Sequence, residues 1–207
     1  LTYTTGIYLL FVLLIFFFQR SLLYLPAIEK VDISYYSKTD MKEVSLTTSD
    51  GLILKSLFKM PLSKQQDTIL IFHGNAGHIG HRVDKFKPFI DQGYGLLLLE
   101  YRGYADNPGK PTEKGLYEDA LAALKFLSRQ NISPQKTILY GESLGCGIAV
   151  KLSTEIAYKT TILEAPYTSI ADIAQSHYWY LPAKWLVLDR YDIIGKIDKI
   201  KSPLIVI

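Results

Sequence analysis

Gly141-Glu142-Ser143-Leu144-Gly145 sets a serine between two glycines, directly after the apolar run Thr137-Ile138-Leu139-Tyr140. Cys146-Gly147-Ile148-Ala149-Val150 follows and reads as the start of a helix. A serine at the apex of a strand–turn–helix is placed for nucleophilic acyl transfer. The turn lifts its hydroxyl above the sheet edge, and residues two positions away must be small to let strand and helix approach. The Leu144 amide and the positive helix N-terminus are then aimed where an oxyanion would form. Glycine and serine are common in loops; the strand before and the helix after give the pattern its meaning.

Composition removes several other chemistries. A single cysteine permits no intrachain disulfide and no cysteine-rich metal site. The four histidines lack an H-x-x-x-H spacing, so neither a metal nor an organic cofactor is expected. A net charge of +3, with lysines spread along 207 residues, gives no nucleic-acid partner. At 48% hydrophobic and 21% charged residues, the chain is not a disordered one.

The elements that must hold Ser143 can be read in order. Glu43 to Thr48 alternates as a strand, Ser49-Asp50-Gly51 is a tight turn, and Leu52 to Met60 returns as the second arm of a hairpin. Thr68-Ile69-Leu70-Ile71-Phe72 and Gly95-Leu96-Leu97-Leu98-Leu99 are short continuous apolar runs, the mark of strands covered on both faces. A helix is predicted from Ile79 to Gln92. Another is predicted from about Glu113 to Ser128, capped by Thr112, with Leu116, Ala120, Ala123, Leu124 and Leu127 on one face. The helix after Ser143 runs to about Ile156, and Thr160 to Glu164 is a further strand. Strands alternating with helices predict an α/β fold with a mostly parallel, doubly covered sheet and an antiparallel edge.

The two ends stand apart from this domain. Leu1 to Phe18 carries no charge, and eighteen helical residues reach about 27 Å, close to a hydrocarbon core of about 30 Å. Residues 1–20 are therefore expected to be a single-pass transmembrane anchor, 21–42 a connector and 43–207 the catalytic domain. Segment 168–200 is its expected lid. Tyr24 is expected at the membrane interface. A cleaved signal peptide and a soluble apolar helix are the competing readings, the first opposed by bulky Leu22, Leu23, Tyr24 and Leu25 where small residues belong. Arg20 and Lys30 favour a cytoplasmic domain. Leu204-Ile205-Val206-Ile207 reads as a buried strand at the chain end, which predicts a fragment.

Taken together, these stations resemble the α/β-hydrolase superfamily, and within it the membrane-anchored hydrolases related to the bud-emergence and depalmitoylase-like enzymes. The matching stations are Gln19-Arg20 with Tyr24 and Pro26, Thr48-Ser49-Asp50-Gly51, His73-Gly74-Asn75-Ala76-Gly77, Tyr101-Arg102-Gly103-Tyr104, the Ser143 turn, Glu164-Ala165-Pro166-Tyr167-Thr168-Ser169, and Pro203-Leu204. The resemblance implies Ser143 as nucleophile and the backbone amide of Asn75 as a second oxyanion donor beside Leu144. It implies an acyl-type or lipidated substrate at a membrane. It also implies a catalytic acid and histidine that follow Ser143 along the chain, beyond Ile207. Glu100 stands where the family usually has aspartate, Ala105 where it has glycine, and Cys146 replaces a smaller residue.

Three readings follow: a membrane-anchored serine hydrolase acting on an ester, thioester or amide; a truncated hydrolase without its acid and base, inactive as these residues alone; and a non-enzymatic module reusing the fold. His73, His78, His81 and His177 are expected to be structural or packing residues, Glu164 to anchor its turn, and Arg102 to be a structural hydrogen-bonder. Tyr178, Trp179, Tyr180 and Trp185 either line an acyl pocket or pack the lid.

Overall fold

The computed structural model describes residues 2–207. In chain order the elements are α1 (Thr2–Leu23), β1 (Leu25–Pro26), β2 (Lys42–Thr47), β3 (Ile53–Lys59), β4 (Thr68–Phe72), β5 (Ala76–Gly77), α2 (Val83–Asp91), β6 (Gly95–Leu99), α3 (Glu113–Arg129), β7 (Thr137–Glu142), α4 (Leu144–Glu155), β8 (Thr160–Glu164), α5 (Ile170–His177), α6 (Ala183–Leu186) and β9 (Leu204–Val206). Seven strands form one sheet in the order β2-β3-β6-β4-β7-β8-β9. The β2–β3 and β3–β6 pairs are antiparallel; β6, β4, β7, β8 and β9 run parallel.

The continuous apolar runs are buried for the reason their sequence suggests. All five residues of β4 and all five of β6 are buried, because helices cover both faces of the sheet centre. The core divides into two clusters. Leu70, Phe72, Leu97 and Leu99 pack with α3 and α4. Ile69, Ile71, Leu96 and Leu98 pack with Val83, Phe86 and Ile90 of α2. Odd and even residues of one strand thus feed opposite layers. The Thr112 hydroxyl accepts the Gly115 amide at 2.9 Å and opens α3 as its sequence predicts.

Two expectations need correction. The helix predicted from Ile79 begins as a 3-10 turn, Ile79–Arg82, before α2. His78 lies outside the helix, where its buried Nδ1 accepts the Gly80 amide at 3.0 Å and caps that turn. Tyr24 does not sit at an interface; it is buried, and its hydroxyl meets that of Tyr191 at 2.9 Å. Among the described residues β9 pairs with β8 in parallel.

The segment after α1 is bonded into the domain. β1 pairs in parallel with β5, Leu25 N–H donates to Asn75 O at 2.9 Å, and Ala27 N–H to Gly77 O at 3.1 Å. Asn75 Nδ2 donates to Leu23 O at 2.8 Å. α1 itself is long and apolar enough to cross a membrane.

Candidate active site

Ser143 sits between the last residue of β7 and the first of α4, with φ 48° and ψ −114°. A positive φ on a residue with a Cβ is a sparsely populated, strained conformation, costing about 1–3 kcal/mol. Two backbone bonds hold it: Ser143 N–H donates to Glu164 O at 2.9 Å, and Cys146 N–H to Ser143 O at 2.9 Å. A serine at this place usually spends its hydroxyl capping the helix. Here the side chain makes no capping bond, so Oγ remains available for chemistry.

The two glycines are required by contact. A Cβ on Gly141 would lie 2.6 Å from Cys146 Cα, and one on Gly145 would overlap the carbonyl oxygen of Phe72. Gly145→Ala is expected to lower stability by about 3 kcal/mol or more, because only backbone could give way. The midpoint of urea unfolding measures it; an unchanged midpoint would refute the packing account.

The His73–Gly77 loop faces the same point. A Cβ on Gly74 would stand 3.7 Å from Ser143 Cβ, so this backbone passes close to the serine. Asn75, Ser143 and Leu144 line one cavity. The Leu144 amide, first in its helix, has no acceptor within the helix. The loop is pinned by the chain leaving β6. Tyr101 OH donates to His73 O at 2.9 Å and Tyr104 OH to Asn75 O at 2.8 Å, while Glu100 Oε2 accepts the Ile79 amide at 2.9 Å. His73 and Glu100 are both buried, with Nε2 and Oε1 3.0 Å apart but not aligned as a hydrogen bond. His73 Nδ1 lies 2.8 Å from Gly74 O, which leaves this ring structural.

Charges beneath the turn are paired. Glu142 Oε1 accepts from Arg82 at 3.1 Å and Oε2 from Lys85 at 3.2 Å. Burial opposes ionisation of Glu142, yet Arg82 and Lys85 outweigh it and hold its carboxyl below the usual range. Glu164 meets Lys85 and accepts from Tyr140 OH at 2.9 Å, so it anchors this corner as expected. Cys146 is buried with its sulfur 3.1 Å from Gly141 O, and burial pushes its thiol up to about 12. It packs rather than reacts.

Arg102 is the structural hydrogen-bonder expected. Its Nε donates to Asp119 Oδ1 at 2.8 Å and its Nη1 to Asp50 Oδ2 at 2.7 Å. This ties the β2–β3 turn and α3 to the loop after β6 that carries the loop-pinning tyrosines. Ala105 holds φ 47°, a left-handed conformation that explains why glycine is usual there.

The cavity over Ser143 has a volume of about 330 Å³. That lies at the lower end of the range for ligand sites, about 300–1,000 Å³. One wall is α5 and the chain after it, with Ile170, Ile173, Ala174, Tyr178 and Leu181; the other is α1. Phe16, Gln19 and Leu23 of α1 fall at helical spacing on one face, toward Ser143. Sequence reading missed this wall. The one signal was Gln19, a polar residue closing an apolar run. Of the four lid aromatics, Tyr178 lines the cavity, whereas Trp179 and Trp185 are 78% and 86% exposed. Among the described residues no histidine bonds to Ser143 Oγ. His177 lines the cavity, but its Nδ1 is 3.1 Å from Ile173 O.

A strained serine between a strand and a helix, on a mostly parallel sheet with an antiparallel edge, defines the α/β-hydrolase class. The chain belongs to the α/β-hydrolase family described as serine aminopeptidase, S33, which matches residues 63–190. A protein of Mycobacterium tuberculosis is 35% identical over 191 residues, covering 91% of this chain and 68% of its own length. Lysophosphatidylserine lipase ABHD12 of Danio rerio is 32% identical over 170 residues, 72% of this chain and 44% of the fish protein. The chain thus spans less than half of that lipase. The crystal structure of an α/β hydrolase from Vibrio vulnificus superposes with a TM-score of 0.70 at 22% identity, over 82% of this chain and 64% of that one, a likeness of fold.

Proposed function

We propose that the chain is the anchored, nucleophile-bearing part of a serine hydrolase cleaving a long-chain acyl ester, thioester or amide. The observation that carries this reading is the uncapped Ser143 hydroxyl, held in a strained turn and facing an apolar cavity shared with the Asn75 and Leu144 backbone. Ser143 Oγ attacks the substrate carbonyl carbon, and the two amides receive the developing oxyanion. The leaving group departs with a proton, and water then cleaves the acyl-enzyme. The apolar walls suit an acyl chain, and α1 serves as the membrane anchor. The named relative, a lysophosphatidylserine lipase, supports a lipid ester. Labelling by a fluorophosphonate probe that disappears in Ser143→Ala supports the assignment; labelling that survives refutes it.

A second reading has one observation in its favour. An unassisted serine is a poor nucleophile, and no described histidine reaches Ser143. In this fold acid and histidine follow the nucleophile along the chain, and the one histidine after Ser143 is His177. On that reading these 207 residues bind an acyl chain without turning it over, and the wild-type chain itself stays unlabelled.

The cavity wall makes a prediction about chain length. Ala174→Phe fills space beside Ile173 and Tyr178. The preference of kcat/KM for a decanoyl over an acetyl ester is expected to fall about tenfold, with acetyl turnover retained. Equal loss on both esters would show that the cavity does not hold the acyl chain.

A further inference from the structure

The segment from Tyr178 to Leu188 carries one charged residue, Lys184, among Tyr178, Trp179, Tyr180, Leu181, Trp185, Leu186, Val187 and Leu188. Trp179, Trp185 and Leu188 are exposed, and Lys184 reaches back to Asp172 at 3.0 Å. Exposed tryptophans beside an apolar surface are costly in water and favoured at a lipid interface.

Where this surface lies relative to α1 decides what covers it. The segment touches α1 at two heights. Gln19 Nε2 donates to Leu186 O at 3.3 Å and accepts the Leu188 amide at 2.8 Å. Farther along, Tyr8 OH donates to Tyr180 O at 3.0 Å, and the Phe11 ring stacks on Tyr180 with centroids 6.5 Å apart. Tyr8 and Gln19 are separated by about 16 Å along a helix, and one leaflet of hydrocarbon is about 15 Å thick. Both contact points lie inside Tyr3–Leu23, the stretch long and apolar enough to cross a membrane. Entry of that stretch into a bilayer therefore carries the Tyr178–Leu188 segment in with it.

We propose that the Tyr178–Leu188 segment is a membrane-inserted surface, sunk in the same leaflet as the C-terminal half of α1. Its occupant is the hydrocarbon and glycerol region of a phospholipid leaflet, to which it is continuous through the α1 contacts. Lys184, the one charge in the segment, is paired with Asp172 rather than bare in hydrocarbon. The cavity, walled by Phe16 on α1 and Ile173 and Tyr178 of the lid segment, then draws its acyl chain from the bilayer rather than from water. The inference rests on the reading of α1 as an anchor and adds that the domain itself is partly immersed.

The chain holds only two tryptophans, both on this surface, so tryptophan emission reports on it alone. The 207-residue chain is reconstituted into phosphatidylcholine vesicles whose acyl chains are brominated near the headgroup or near the chain end, and vesicle flotation is measured on the same samples. Insertion predicts about a twofold or greater loss of emission with brominated lipid and weak quenching by aqueous acrylamide. Trp179→Phe and Trp185→Phe each leave one reporter and show which ring is deeper. Protein that floats with vesicles but is quenched by acrylamide and not by bromolipid overturns the insertion while leaving the anchor standing. Emission shielded from both quenchers shows a second copy on the surface and also overturns it. Protein that does not float removes the anchor reading, and the insertion with it.

Discussion

Ser143→Ala is expected to abolish acyl transfer, with ester turnover falling about 10⁴–10⁶-fold and fluorophosphonate labelling lost. The size follows from what the oxygen does. It supplies the bond that forms in the acyl-enzyme, which an alanine methyl cannot form. The same position makes a second prediction that separates strain from chemistry. Alanine retains the Cβ that makes φ 48° unfavourable, whereas glycine adopts positive φ freely. Ser143→Gly is expected to be as inactive as Ser143→Ala but more stable than it by about 1 kcal/mol. Chemical denaturation of the two variants side by side measures this. Equal stability would mean that the turn stores no strain, and retained turnover in either would remove Ser143 as nucleophile.

Arg102→Met is expected to cost about 3–5 kcal/mol and lower Tm by about 10 °C. Met fills much of the volume of Arg, so the loss isolates the charge. Asp119 is fully buried and its carboxylate would be left without its cation; Asp50 loses the bonds that hold it. The pH response can be worked out from the two acids. Burial raises Asp119 to about 6 even though Arg102 pulls the other way. The hydrogen bond from Arg102 lowers Asp50 to about 2. Between about pH 4 and 6 the folded state therefore holds a proton on Asp119 that the unfolded chain has released. The contribution of Asp119 to stability falls as pH rises through that window. That of Asp50 is present above pH 3.8 and lost as pH falls toward 2. Asp119→Asn removes the first response only. The stability advantage of the wild type over Asp119→Asn is expected to shrink from pH 4 to pH 6, as read from urea midpoints at each pH. An advantage that grows with pH would show Asp119 to be stabilised as a carboxylate instead.

The legible parts of the molecule are those whose cause is local. β4 and β6 announce themselves because a strand covered on both faces must be apolar at every position. The Ser143 turn is readable because steric crowding leaves glycine as the one choice at 141 and 145. α3 shows its cap and its apolar face within seventeen residues. The illegible parts depend on partners far along the chain. Tyr24 looked like an interfacial residue, yet it meets Tyr191, 167 positions away. Ile79 looked like the start of the helix, but a 3-10 turn capped by the His78 ring precedes it.

The amino-acid sequence by itself determined the α/β-hydrolase class; it offers Ser143 and the Leu144 amide as candidates within one short turn, while Asn75 enters through resemblance to the family. The tertiary structure decided what surrounds that serine. It placed α1 and α5 as opposite walls of one cavity, and it tied Asn75 to Leu23 and Leu25. It also turned Trp179 and Trp185 outward beside the apolar helix. These are contacts between elements from about fifty to more than a hundred residues apart, set by how helices pack around the sheet. No periodicity within either element encodes them.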